Sequence, residues 1–255
     1  MVGMMKMLVI VLVALLLAAC ASSSQTGNST NYSETALTER ARAHSDLAAA
    51  YFQQNKYEIA LTEFTEAIKI DPTYSPAYNG LGLVYAALGE DAKADVNFLK
   101  AIQVQPNSSE AHNNYGSFLC ARKRYDESIP HFLAAVKNPL YATPNLAYAN
   151  AGICSARKND MKSAEIYLNK ALQIQPLTYS AAYQLADIQF KRNDINAAKV
   201  TLQNVLIASP TPESLWLAIK IERILGGRDN EASYALQLRR QFPGSAQTSL
   251  LLSGQ

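Results

Sequence analysis

Thiols and imidazoles are the side chains that most readily hold metals, attack electrophiles and shuttle protons, and this 255-residue chain has three of each: Cys20, Cys120 and Cys154, with His44, His112 and His131. No two of the six stand at the close spacings that gather ligands around zinc. His131 stands alone, with no cysteine or carboxylate pair at metal-ligand spacing beside it. There is no glycine-rich phosphate loop, no nucleophile elbow, and no pair of acids set apart in an insertion. The expectation is a chain with no metal, no cofactor and no catalytic centre, whose work is to bind another molecule.

Cys20 has a setting of its own. It closes an amino-terminal stretch that carries one positive charge, Lys6, and then runs apolar from Met7 to Ala19. That run is shorter than the ~20 residues a spanning helix needs and suits the apolar region of a secretory signal. Leu17-Ala18-Ala19-Cys20 resembles a bacterial lipobox, which implies cleavage before Cys20 and acylation of its thiol. The alternative is an ordinary signal peptide cut after small residues, with Cys20 incidental. A single acyl chain anchors only marginally; the lipoproteins this pattern resembles carry three. Ala21 stands where Asp would be the usual inner-membrane retention signal, so the expected address is the periplasmic face of the outer membrane. Residues 1–19 are assigned to the signal peptide, and residues 20–38, rich in Ser, Thr and Asn, to the acylated cysteine and a flexible tether. As a coil, the tether spans roughly 20 to 25 Å.

Hydrophobic residues make up 49% of the chain and charged ones 17%, which suits a packed domain or a repeat array. Lys plus Arg number 23 against 21 Asp plus Glu, and loss of Lys6 with the signal leaves 22 against 21. Neutralising phosphates takes a basic face that this balance hardly supplies, so no nucleic-acid partner is expected.

The elements that position everything else repeat. YEIALTEFTEAIKIDP at 57–72, DAKADVNFLKAIQVQP at 91–106 and MKSAEIYLNKALQIQP at 161–176 share alanines, large apolar residues and a closing proline in one register. The step from Ala60 to Ala94 is the same as that from Pro72 to Pro106 and from Ala164 to Ala198. A fixed 34-residue period of helical pattern is the signature of tetratricopeptide repeats, whose helix pairs bury their apolar faces only by stacking. The fold class expected for 39–255 is all-α, a right-handed tetratricopeptide-repeat superhelix of about six helix-turn-helix repeats, at about 41–74, 75–108, 109–144, 145–178, 179–212 and 213–246. The third unit is two residues longer.

First helices carry small residues beside large ones, as in Leu47-Ala48, Leu81-Gly82, Tyr115-Gly116, Ala151-Gly152 and Leu185-Ala186. Second helices carry Ala60-Phe64-Ala67, Ala94-Phe98-Ala101, Ser128-Phe132-Ala135, Ala164-Leu168-Ala171 and Ala198-Leu202-Val205. Gly89 and Gly227, with Asn55, Asn159 and Asn193, fall at the turn inside a unit, where a positive φ is easiest for Gly or Asn. His44 and His112 share a register position with Tyr78, Tyr148 and Trp216 and read as packing residues. The sixth unit, with Lys220 and Arg239 at positions expected to be small, reads as a cap.

Cys120 and Cys154 are separated by one full period, on first helices that the solenoid sets side by side. In an exported chain a bridge between them is chemically allowed and would contribute about 3 to 4 kcal/mol in the chain-entropy picture. Two buried unpaired thiols are the alternative, since the cysteines hold offset places in their units. Tetratricopeptide arrays curl so that first helices line a concave groove, here expected to present Phe52, Asn79, Leu83, Asn113, Ser117, Ile153, Arg157, Tyr183, Asp187 and Phe190. Asn79 and Asn113 recur at one place in consecutive units and suit the backbone of a bound segment. The mixture of Asn with large apolar residues suggests an amphipathic one.

The stretch 113–154 goes beyond generic repeats. Asn113-Asn114-Tyr115-Gly116 leading to Cys120, then Asn138-Pro139-Leu140-Tyr141 with Thr143-Pro144, then Asn150-Ala151-Gly152 and Cys154, resemble in order the type IV pilus biogenesis lipoproteins known as pilotins. The resemblance extends over essentially the whole mature chain. It implies an outer-membrane lipoprotein, held there through its acyl chains and carried by the lipoprotein transport machinery, that binds secretin subunits and promotes their outer-membrane localisation and multimer assembly. A scaffold of the same fold serving cell-wall enzymes or barrel assembly is the other reading.

Overall fold

The computed structural model describes residues 28–254, with side chains from Thr35 onward. The signal segment 1–19, Cys20 and the residues up to 27 lie outside the described residues.

Among the described residues thirteen helices follow one another: α1 Asn28–Gln53, α2 Tyr57–Ile70, α3 Ser75–Ala87, α4 Asp91–Val104, α5 Ser109–Ala121, α6 Tyr125–Ala135, α7 Pro144–Arg157, α8 Met161–Ile174, α9 Tyr179–Lys191, α10 Ile195–Ala208, α11 Pro212–Leu225, α12 Arg228–Gln241 and α13 Ala246–Leu252. Among the described residues there is no strand. Twelve of the helices pair into six hairpins. Each odd helix also touches the next odd helix, whereas no even helix touches another even one. The odd helices therefore form the tighter, inner layer and the stack curls toward them.

The hairpins close because small meets large. A Cβ on Gly82 would lie 2.7 Å from the Phe98 ring, and one on Gly116 would lie 2.9 Å from the Phe132 ring. Phe98, Phe132, Leu168 and Leu202 are fully buried, and Ala94, Ala164 and Ala198, packed with Phe98, Leu168 and Leu202, have no exposed surface. Salt bridges tie neighbouring units: Arg122 to Asp91 at 2.7 Å, Arg124 to Asp95 at 2.6 Å, and Arg192 to Glu165 at 2.7 Å.

Four expectations need correction. The tether is not coil throughout 20–38, because α1 is helical from Asn28; the run Glu34-Thr35-Ala36-Leu37 extends the first unit's helix with no breaker, and Thr38 Oγ1 donates to Asp71 Oδ2 at 3.0 Å. Leu47 is 44% exposed where Leu81 is 7%, since no preceding unit covers it. The positive φ of the last intra-unit turn falls on Gly226 (72°), while Gly227 is at −80°; Lys123 makes the same turn in the third unit at 62°. The sixth unit does not end the fold, because α13 covers Leu215, Ile219 and Leu238 through Leu251.

Candidate protein-binding groove

The inner layer carries the groove positions, and the side chains there divide into three sections. At the amino end, Phe52 is half-buried, its ring 5.8 Å from that of Tyr57. In the middle, on α3, α5 and α7, runs a chain of amides. Asn114 Nδ2 donates to Asn79 Oδ1 at 3.3 Å, and Asn150 Nδ2 donates to Asn113 Oδ1 at 3.1 Å. The carbonyl oxygens of Asn79 and Asn113 are thus engaged between units, and their NH2 groups are the donors left for a bound segment. Asn114 and Asn150 were not among the sequence candidates; their signal is the place after Asn79 and Asn113, where Gly80 stands in the second unit.

Leu83 is half-buried beside Phe98 and Tyr115, and Ile153 beside Leu168 and Leu185. Ser117 is exposed, and its hydroxyl donates back to Asn113 O at 2.9 Å, so it offers an acceptor rather than a free donor. Arg157 is exposed in the last turn of α7, where a cation suits the helix dipole. At the carboxyl end, Asp187 bonds Lys191 at 2.6 Å, and Lys220 Nζ lies 4.9 Å from the centroid of the half-buried Phe190 ring. Burial, with Asp187 and Glu213 adding negative potential, pushes the Tyr183 phenol up to about 12, so it remains a neutral hydroxyl. The face combines amide donors with apolar and charged side chains. It is equipped for non-covalent binding of a polypeptide, and among the described residues no group of three or more metal-binding side chains converges.

The structure brings together the chemistry-bearing residues of the third and fourth units. Cys120 on α5 and Cys154 on α7 stand with Cα atoms 5.9 Å apart, a spacing common to disulfides, and their sulfurs are paired. Ser128 Oγ donates to Gly116 O at 2.8 Å and contacts Cys154 Sγ at 3.3 Å. His131 is not alone. Its Nδ1 lies 2.9 Å from His112 Nδ1, and its ring sits 4.7 Å from that of Tyr115. The reason is register: positions on the two arms of a hairpin face each other at a constant offset, which also sets His44 against Glu63 at 2.7 Å. Because Pro106 O only accepts, His112 Nε2 at 3.0 Å must carry a proton; in the neutral pair His112 Nδ1 then accepts from His131 Nδ1. Tyr115 donates its hydroxyl to Asp95 at 2.7 Å, and burial followed by that carboxylate pushes its pKa up to about 12.

With this geometry in view, the likenesses to known proteins are specific. Profiles of the tetratricopeptide repeat match residues 48–89, 75–108, 97–129 and 147–176. The type IV pilus assembly protein PilF of Pseudomonas aeruginosa is 28% identical over 206 residues, which cover 80% of this chain and 81% of PilF. The solved structure of Pseudomonas aeruginosa PilF matches with a TM-score of 0.78, covering 86% of this chain and 100% of that one. The crystal structure of PilW, described as a widely conserved type IV pilus biogenesis factor, matches with a TM-score of 0.74 and 31% identity, covering 83% and 98%.

Proposed function

This chain belongs to the PilF/PilW family of tetratricopeptide-repeat type IV pilus biogenesis proteins, and on that premise we propose that it is the outer-membrane pilotin of its system. In this reading it is made with a signal peptide, acylated at Cys20, delivered by the lipoprotein transport machinery, and anchored on the periplasmic face of the outer membrane. Its groove binds secretin subunits, brings them to that membrane and promotes their assembly into the multimeric pore. The reading rests on one observation above the others: in a superhelix of this family, the Asn79 and Asn113 amides engage their oxygens with Asn114 and Asn150, which leaves their NH2 groups as donors on an inner layer that also carries Phe52, Leu83, Ile153 and Phe190. Donors for a backbone, set among apolar contacts, fit an amphipathic segment of a client. No bond is made or broken; specificity comes from the groove and destination from the anchor.

The test is recovery of partners from detergent-solubilised envelopes. Secretin retained by the native protein and lost with Asn79→Ala/Asn113→Ala supports the proposal, and cell-wall hydrolases recovered without secretin overturn it. Cys20→Ala is expected to move the protein from the membrane pellet to the periplasmic fraction with its helical content unchanged. Secretin would then be found as monomers in the inner membrane.

A further inference from the structure

Each turn between units follows an even helix, so these turns lie along one edge of the array, and the turns inside units lie along the other. The two edges differ in charge. Acids crowd the amino ends of the even helices, at Glu58, Asp91, Asp126, Asp160, Asp194 and Asp229. On the opposite edge, the junctions of the third with the fourth and of the fourth with the fifth unit have none: residues 128–159 and 166–186 contain no Asp or Glu, and acids of that edge, Glu110 and Glu213, stand to either side at the amino ends of α5 and α11. Lys137 and Lys170 remain on that edge, and neither forms a salt bridge among the described residues; Lys170 Nζ lies 5.4 Å over the Tyr148 ring.

The same edge is apolar. Leu140 is 89% exposed, Leu177 51% and Leu146 44%. Leu140 does not hang from a slack loop. Asn138 O accepts from Tyr141 N at 3.1 Å, Asn138 Oδ1 accepts from Leu140 N at 3.0 Å, and Pro139 fixes its own φ between them. This turn is the two-residue extension that breaks the repeat. Beside it opens a notch of about 570 Å³ lined by Lys137, Asn107, Asn138, His112, Pro106 and Pro139.

We propose that this edge rests on an anionic phospholipid surface, with Leu140, Leu146 and Leu177 entering the interface and Lys137 and Lys170 meeting the headgroups. Charge sorting carries the assignment. Basic side chains with no acid among them at these two junctions, alternating with exposed leucines on a turn or at a helix start, match an anionic bilayer interface. A protein partner would instead be met by aromatic or arginine anchors gathered in a water-excluding pocket. A projecting side chain already held by its turn loses little freedom on docking. The contact does not depend on acylation of Cys20 or on secretin binding, and it sets the edge, rather than the groove, against the membrane.

The test uses residues 20–255 with Cys20→Ser, so that neither the apolar run 7–19 nor acylation contributes. In that background, with Trp216→Phe, Leu140→Trp is expected to shift to shorter emission wavelength on phosphatidylglycerol-containing vesicles and to be quenched by brominated lipid; emission unchanged on those vesicles overturns the proposal. Lys137→Gln/Lys170→Gln, with unchanged circular dichroism, is expected to weaken co-sedimentation with the same vesicles by about tenfold or more, and equal co-sedimentation overturns it. If Leu140→Ser/Leu146→Ser/Leu177→Ser abolishes pilus assembly but binds vesicles as the parent does, the edge serves a protein and the lipid assignment fails.

Discussion

At Gly80 the array has no room for one more carbon. A Cβ there would lie 2.2 Å from the Phe64 ring of the preceding unit, in a position where the ring is 5% exposed and walled in. Overpacking of this kind costs about 1 to 3 kcal/mol, and the better helix propensity of Ala returns at most ~1 kcal/mol. Gly80→Ala should therefore lower the urea midpoint without changing the slope of unfolding. His131 sets a pH dependence. Burial, then the neighbouring His112, hold its pKa below the usual 6.5, against a smaller opposing pull from Glu127. The unfolded chain binds that proton more readily, so the contribution is complete above 6.5 and is lost as pH falls below it. Melting temperature should decline on acidification from pH 7 toward 5, and His131→Gln should flatten that decline.

At the scale of elements, α5 and α7 are joined near the middle of the stack by Cys120 and Cys154. An intact bridge should leave no free thiol at these positions in the unfolded, unreduced protein. Reduction, or Cys120→Ser/Cys154→Ser, should cost about 3 kcal/mol, seen as a lower denaturation midpoint. The hairpins themselves were legible in the sequence, because each of the first five needs an alanine or glycine opposite a large ring or leucine and that demand recurs once in each of those units. What stayed hidden had no such recurrence. The start of α1 lies in Ser, Thr and Asn with no apolar stripe to mark it, and α13 has seven residues and no repeat partner. In the groove, Asn79 and Asn113 stood out by their common place. Their bonds to Asn114 and Asn150 did not, since a hydrogen bond between units depends on stacking that spacing alone does not specify.

Taken whole, the molecule is a row of units that each lean only on their neighbours, so its weakest point should be an end. Leu215, Ile219 and Leu238 are sealed from water at the carboxyl end by α13. Deleting residues 246–255 should uncover them and make the last unit melt first. Trp216 fluorescence would then report a transition at lower urea than far-ultraviolet circular dichroism. The amino end is built differently. Its helix runs 26 residues where most of the others have 13 or 14, so at ~1.5 Å of rise per residue it is about 39 Å long and overhangs its own hairpin. A rod of that length is a lever arm. A pull reaching Asn28 would arrive at the first unit as torque, tilting the row about the Thr38–Asp71 contact instead of being taken up in slack.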